Sequence, residues 1–378
     1  MNGAPLQGYR ILEIGHMLAG PYCGMLLADL GAEVIKVETG EGDISRRSGP
    51  NYLGEHNVYF ASLNRNKKSV LLDLAAANGR RAFRDLVRTS HGLVTNLRPG
   101  AIKKLGLTYQ ALEAVNPALV CVALTGFGLT GPYSDYPAYD YIIQAMTGVA
   151  MVTGEANGPP VRAGYSVVDN TGGMMAAIGM LAKLLSGKGG QIDIALFDMI
   201  LSQLNYLAAA YLNAGEEPRR YPSGGHSFFV PAQFFQTADG YLALFITHDD
   251  FWRIFANELG RADWLTDERF ATMAARSQNR EIVVADIARE LAGRPTNVWV
   301  ERLRPIGLVI AGVATLPEAL HDKGASAREM IVEIPTPAGP LKLIGNPIKI
   351  AGHEPRYAPP PRLGEHGVAD VLAADGAP

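Results

Sequence analysis

Arg10–Val37 reads RILEIGHMLAGPYCGMLLADLGAEVIKV. A short apolar run, Arg10–Ile14, ends in a turn bracketed by Gly15 and Gly20. A helical stretch follows at Pro21–Leu30, and a second apolar, β-branched run closes the segment at Glu33–Val37. Strand, helix and strand in that order define a βαβ unit, whose two strands lie parallel. The same alternation continues through Ser69–Asp73, the helical pattern Asn78–Thr89, Gly92–Asn96 and Leu119–Thr125. The expected fold is therefore α/β, with a Rossmann-like, mostly parallel sheet.

Further along, Met174, Ile178, Leu181 and Leu185 recur at helical spacing. A strand is expected at Gln191–Ala195 and a long apolar helix at Leu196–Ala214. From about Pro218 the texture changes. Phe234–Thr237, the turn Ala238-Asp239-Gly240 and Tyr241–Thr247 read as a hairpin, and two or three polar helices follow between Asp249 and Arg304. The expected division is a large domain at 1–217, a smaller α+β domain at 218–330, and a Pro- and Gly-rich segment at 331–378 that returns to the large domain.

Composition narrows the function. The chain has 378 residues, of which 48% are hydrophobic, enough for sizeable cores. A net charge of −3 offers no general field for nucleic acid. No apolar run is long enough to span a bilayer and the amino terminus has no leader pattern, so no membrane partner and a cytoplasmic location are expected. The two cysteines, Cys23 and Cys121, sit in apolar runs and are expected to be buried; two are too few for a disulfide framework or a structural zinc site. No metal is expected.

Several common chemistries lack their motifs. The Gly15–Gly20 turn has no Lys-Ser/Thr of a P-loop, and there is no Gly-x-Ser-x-Gly elbow and no His-Glu-x-x-His. One decoy remains: Gly126-Phe127-Gly128-Leu129-Thr130-Gly131 matches the dinucleotide fingerprint of an NAD-dependent oxidoreductase. That reading needs a helix to open there, and Pro132 and Pro137 favour a turn instead.

Three features carry chemistry. Asp169 stands where an apolar helix begins, either as its N-cap or as a carboxylate kept ionised, and hence nucleophilic, by the helix dipole; Gly172 and Gly173 would let an electrophile approach. Ser223-Gly224-Gly225-His226 is either a flexible linker or a loop that aims N–H groups at an oxyanion. Arg65, Lys67 and Lys68, with Arg98, Lys103 and Lys104, form a basic cluster near strand ends: a solvated face or a site for an anionic ligand.

The runs Ile14–Glu38, Asn64–Leu74 (NRNKKSVLLDL), Thr95–Leu107 (TNLRPGAIKKLGL), Gly126–Gly148, Val167–Gly173 (VVDNTGG), ADGYLAL at 238–244 and Leu363–Leu372 (LGEHGVADVL) resemble the class III CoA-transferases. That is the family of formyl-CoA transferase and crotonobetainyl-CoA:carnitine CoA-transferase. The resemblance covers essentially the whole chain and explains the Gly-x-Gly decoy as part of the family's central turn. It implies an interlocked homodimer, an acyl-CoA and a small carboxylic acid as substrates, and no permanently bound cofactor, the coenzyme A thioester being a substrate.

By the same resemblance Asp169 is the nucleophile and Gly224 and Gly225 belong to the catalytic loop. The CoA pocket falls on His16, Leu18, Ala19, Leu72, Asp73, Leu74, Asn96, Leu97, Arg98, Lys104, Tyr139 and Asp140. His226 is a loop anchor or an acceptor contact, and Phe228 and Phe229 suggest apolar pocket walls. Thr39 follows Glu38 where some members place an arginine, and Ala75 stands where some have a lysine. The related α-methylacyl-CoA racemases need a His before the Asp at 140, where this chain has Tyr139, whose pKa near ~10 makes a poor base. A non-catalytic acyl-CoA-binding protein would not need Asp169.

Overall fold

The sheet is built from runs whose alternate residues face opposite sides. In a computed structural model, which describes residues 3–373, β1 (Arg10–Ile14), β2 (Glu33–Glu38), β3 (Lys67–Leu71), β4 (Gly92–Thr95), β5 (Val120–Thr125) and β6 (Gly190–Ala195) pair in the order β3-β2-β1-β4-β5-β6. Every pairing in it is parallel. This is the doubly wound order, in which the chain reverses its direction of travel across the sheet between β1 and β4.

One face of the sheet is apolar. Leu12, Ile14, Ile35, Val37, Val70, Leu93, Cys121 and Ala123 pack there with Phe83, Leu86 and Val87 of α2 (Ala77–Arg88) and Ile102 of α3 (Pro99–Leu105). The other face carries charge. Beneath α1 (Ala19–Asp29), Lys36 Nζ lies 2.6 Å from Glu13 Oε1 and 2.8 Å from Asp43 Oδ2, and Lys67 Nζ lies 2.7 Å from Glu13 Oε2. All four side chains are fully buried. Gly24 of α1 makes room for them, because a Cβ there would collide with Glu13 Oε2.

This pairing explains a shift in one strand. β3 begins at Lys67, two residues before the expected Ser69, because Glu13 neutralises a lysine that the apolar pattern assigns to a loop. Arg65 and Lys68 are likewise spent inside the fold, on Asp29 at 2.6 Å and Glu33 at 2.5 Å. The first half of the expected basic cluster is therefore structural.

The chain divides into two compact units, one of 1–147, 164–205 and 322–378 and the other of 148–163 and 206–321. These differ from the expected boundaries at 217 and 330. The change of texture at Pro218 marks a loop inside the second unit, where Arg220 donates to the carbonyls of Gly158 and Pro159 and so binds 148–163 to it. The expected helix Leu196–Ala214 is two helices, α6 (Leu196–Gln203) and α7 (Asn205–Ala214), and their junction falls where the chain leaves the first unit. α4 (Asp140–Met146) and α5 (Val167–Leu185) complete the parts used below.

In the second unit, β7 (Ala232–Gln236) and β8 (Tyr241–Phe245) form the hairpin, and β9 (Val309–Gly312) adds antiparallel to β8. Its core joins Phe235, Leu242, Leu244 and Ile310 to Trp252, Phe255, Trp264, Ile287 and Trp299 from α8 (Asp249–Leu259), α9 (Arg280–Ala292), α10 (Thr296–Leu303) and the turns between them. In the first unit the last segment runs back over the sheet. Arg65 donates to Ile344 O, Arg46 to Pro361 O and Arg10 to Val371 O, while His366 N–H donates to Ser69 O. Among the described residues no helix is long and apolar enough to cross a membrane.

Candidate active site

Ligand crevices of doubly wound sheets form beyond the carboxyl ends of the strands, at the switch point. A cavity of about 230 Å³ opens there, lined by His16–Ala19 after β1, Asn96–Pro99 after β4, Leu124–Gly126 at the end of β5, Leu196 after β6, Ser134, Tyr136, Ala138 and Tyr139, together with Ile44 and Asp169. Of the expected residues it gathers His16, Leu18, Ala19, Asn96, Leu97, Arg98, Tyr139 and Asp169.

The loop after β1 is held from below by charge. Asp43 Oδ1 accepts Met17 N–H at 3.0 Å, and Lys36 Nζ donates to Gly15 O at 3.2 Å. Met17 adopts φ 65°, a left-handed conformation that costs a non-glycine residue about 1 kcal/mol or more unless its surroundings impose it. Asn96 clamps the same loop to β4: its Oδ1 accepts His16 N–H and its Nδ2 donates to His16 O. A side chain at Gly15 or Gly20 would displace that amide. His16 Nδ1 lies 3.9 Å from Asp43, and burial lowers the imidazole's pKa, so the ring is neutral at pH 7.

Asp169 is the third residue of α5, and Ser166, which makes no side-chain cap bond, precedes the helix. The N-cap expectation is thus replaced by a place in the first turn. Burial, with the nearby charge of Asp140 second, pushes the Asp169 carboxyl up to about 6. The helix dipole acts in the opposite direction and is outweighed. No group among the described residues hydrogen-bonds to this carboxylate. Gly172 and Gly173 serve packing, since side chains there would strike Leu196, Ala19 O and Tyr22.

Other expected residues lie elsewhere. The side chains of Leu72 and Leu74 are buried in the apolar core, Asp73 accepts Ala75 N–H in the turn before α2, and Lys104 is exposed on α3. None of the four lines the cavity. Arg98 and Lys104 enter no ion pair among the described residues. Asp140 is buried, with its oxygens turned to Gln144 Nε2 at 2.6 Å and Val168 N–H at 2.9 Å, not to the cavity. Sequence reading missed Met17, Tyr136 and Tyr59. The phenol pKa of Tyr59 is raised by burial and then by the charge of Asp169.

Gly224, Gly225 and His226 belong to the second unit, where they line a cavity of about 510 Å³ with Tyr206, Phe234 and Phe245. Ser223 sits at φ 54°, and its N–H donates to both carboxylate oxygens of Glu155. Gly225 N–H donates to Pro222 O and His226 N–H to Ala232 O. Within that run the N–H groups of Ser223, Gly225 and His226 are thus engaged inside the loop, and Gly224 ends the single 3-10 turn Pro222–Gly224. His226 anchors the loop: its Nδ1 accepts the N–H groups of Phe228 and Phe229, which fixes the proton on Nε2. Arg280 of α9 braces it, donating to His226 O at 2.8 Å and Ser227 O at 3.1 Å, with its guanidinium 4.2 Å from the ring centre of Tyr221.

The Gly126–Gly131 turn is not followed by a helix until Asp140, which removes the setting a dinucleotide fingerprint requires. Fold and cavity define a doubly wound α/β protein with a lone half-buried carboxylate at its ligand crevice. The model of CoA-transferase family III matches residues 6–367, and the chain belongs to that family. It is 33% identical over 373 residues to the acetyl-CoA:oxalate CoA-transferase of Acetobacter aceti, covering 97% of this chain and 94% of that one. It is 36% identical over 387 residues to the succinate–glutarate CoA-transferase of Agrobacterium fabrum, covering 98% and 95%. A solved CAIB/BAIF family protein from Brucella suis superposes with a TM-score of 0.86 at 34% identity over 99% of both chains.

Proposed function

We propose that this CoA-transferase moves coenzyme A onto a small dicarboxylic acid, with Asp169 as the covalent carrier. The observation that carries the reading is Asp169 itself, a half-buried carboxylate free of hydrogen bonds at the strand-end cavity. With its carboxyl at about 6, about nine-tenths of it is ionised at pH 7, and it is more basic than an ordinary aspartate. Dicarboxylates are favoured because the relatives above are named for oxalate, succinate and glutarate.

An oxygen of Asp169 attacks the thioester carbonyl and the C–S bond breaks, giving a mixed anhydride and the CoA thiolate. The thiolate attacks the aspartyl carbonyl and expels the donor acid as carboxylate, leaving an aspartyl-CoA thioester. The acceptor carboxylate then attacks that carbonyl and releases thiolate, which takes the acceptor acyl group and frees Asp169. A cavity of about 230 Å³ suits the thioester end of the substrate, with the phosphates outside it near Arg98 and Lys104. In the second unit His226 orders the glycine loop.

Incubation with acyl-CoA alone, followed by hydroxylamine trapping and peptide mass spectrometry, should label Asp169. Asp169→Asn should lose at least ~10³-fold in turnover while still binding CoA. A freshly prepared Asp169→Asn protein with more than about a tenth of normal turnover would make Asp169 structural. Solvent deuterium exchange into a 2-methylacyl-CoA without labelling of Asp169 would favour a racemase.

The reading includes a homodimer. Met174, Met175, Ile178 and Leu185 of α5 are exposed, and α7, with Tyr206, Tyr211 and Leu212, buries none of its residues. An apolar helix with no buried face calls for a partner. Light scattering on dilution should show a dimer throughout, and an active monomer would remove this part of the proposal.

A further inference from the structure

α5 begins without a cap of its own. Its first four N–H groups have no partner within the helix, and Ser166 makes no side-chain cap bond. Asp140, on another helix, supplies what is missing: its Oδ2 accepts Val168 N–H at 2.9 Å, one residue before Asp169. Its Oδ1 is fixed by Gln144 Nε2 at 2.6 Å, one turn further along α4. With the carboxylate only 6% exposed and both oxygens engaged, Asp140 has no free oxygen for coenzyme A.

We propose that Asp140 is a positioning residue for the transfer reaction, capping the helix of Asp169 from outside and holding a second negative charge beside that carboxylate. The proposal rests on the reading of Asp169 as carrier. Several titratable groups approach Asp169 from the surrounding elements. His16 on the loop after β1, Arg98 after β4 and Tyr139 before α4 line the cavity with Asp169, Tyr59 on the helix Val58–Asn64 feels its charge, and Tyr22 of α1 packs against Gly173 of α5. Asp140 is the neighbour whose charge raises the Asp169 pKa beyond what burial does. A more basic carboxylate is a stronger nucleophile for the thioester, and its fixed first turn keeps it aimed.

The test is a pair of variants read by pH profile. Asp140→Asn keeps an acceptor for Val168 N–H and removes the charge. The acid limb of kcat should move to lower pH by roughly half a unit to one unit, and kcat at pH 7 should fall several-fold. KM for the acyl-CoA should change less than about twofold, because no contact with it is lost. Asp140→Ala also loses the anchor, and kcat should fall by about 10²-fold.

Ser166→Asn added to either variant supplies a neutral cap and keeps the helix start folded. It should recover the melting temperature and leave the acid limb where the charge loss put it. An unmoved acid limb in Asp140→Asn, with or without Ser166→Asn, would reduce Asp140 to a cap and overturn the proposal. A raised acyl-CoA KM with normal kcat would overturn it in favour of a substrate contact. Hydroxylamine labelling of the wild-type protein separates the two readings: unlabelled Asp169 defeats the carrier assignment, whereas labelled Asp169 with an unmoved limb defeats this proposal alone.

Discussion

The loop after β1 and the Ser223–His226 loop each hold a non-glycine residue in the left-handed region, Met17 at φ 65° and Ser223 at φ 54°. They are held by opposite means. The first rests on fully buried charges, Asp43 and Lys36, tied through Glu13 to Lys67. The second rests on half-buried or exposed groups: the Glu155 carboxylate, the Arg280 guanidinium and the His226 ring. A loop fixed by buried charge keeps one shape, because every alternative leaves an ion unpaired in the interior. A loop fixed near solvent can exchange its partners for water or for a ligand at small cost. The cavity of Asp169 is preformed in this sense, and the glycine loop is adaptable.

Breaking the first loop should have the largest effect. Lys36→Met leaves the buried Asp43 without its lysine and Glu13 with Lys67 alone, and should cost about 3–5 kcal/mol in denaturant unfolding. Acid should attack the same place. Burial opposes ionisation of Asp43, but Lys36 and the hydrogen bonds of Met17 and Ser45 prevail and hold its carboxyl down to about 2. Its stabilising contribution is therefore present above the ordinary carboxylate range and is lost as pH falls toward about 2.

Arg280→Ala should have an intermediate effect and sharpen the contrast. It removes two charge-assisted bonds and a ring contact, at about 1–3 kcal/mol. Proteases should cut faster within 221–228 and KM for the acceptor acid should rise, with KM for the acyl-CoA unchanged. An unchanged acceptor KM would argue that the loop's order is irrelevant to the acid.

Met17→Gly and Ser223→Gly are the smallest tests. Each relieves backbone strain and adds chain entropy, so stability should move by less than about 1 kcal/mol. Ser223→Gly alone should speed proteolysis of its loop. Equal responses at both sites would erase the distinction between them.

What the sequence made legible follows the same line between apolar and charged burial. The strands Arg10–Ile14 and Val120–Thr125 stand out because both of their faces are buried and apolar residues dominate them, Val120–Thr125 with no charge in it and Arg10–Ile14 around the internal Glu13. The start of β3 is hidden, because no local pattern says that Lys67 will meet Glu13 across the sheet. Asp169 is visible at the start of an apolar helix, yet Asp140, two oxygens committed to a helix and a glutamine, reads in one dimension like any polar turn residue. Gly172 and Gly173 look like room for a substrate and are room for Leu196 of α6 and for α1.

The return of the last segment sets an order of events during synthesis. The second unit is complete in sequence once His321 has been made, and can fold while the rest of the chain is still being translated. The first unit cannot close so early. Arg65 waits for Ile344, Arg46 for Pro361, Ser69 for His366 and Arg10 for Val371, all four lying on or beside the earliest strands. A ribosome that stalls after about residue 340 would thus release a finished small unit joined to an unfinished six-stranded sheet, a species for chaperones and proteases rather than a shortened enzyme.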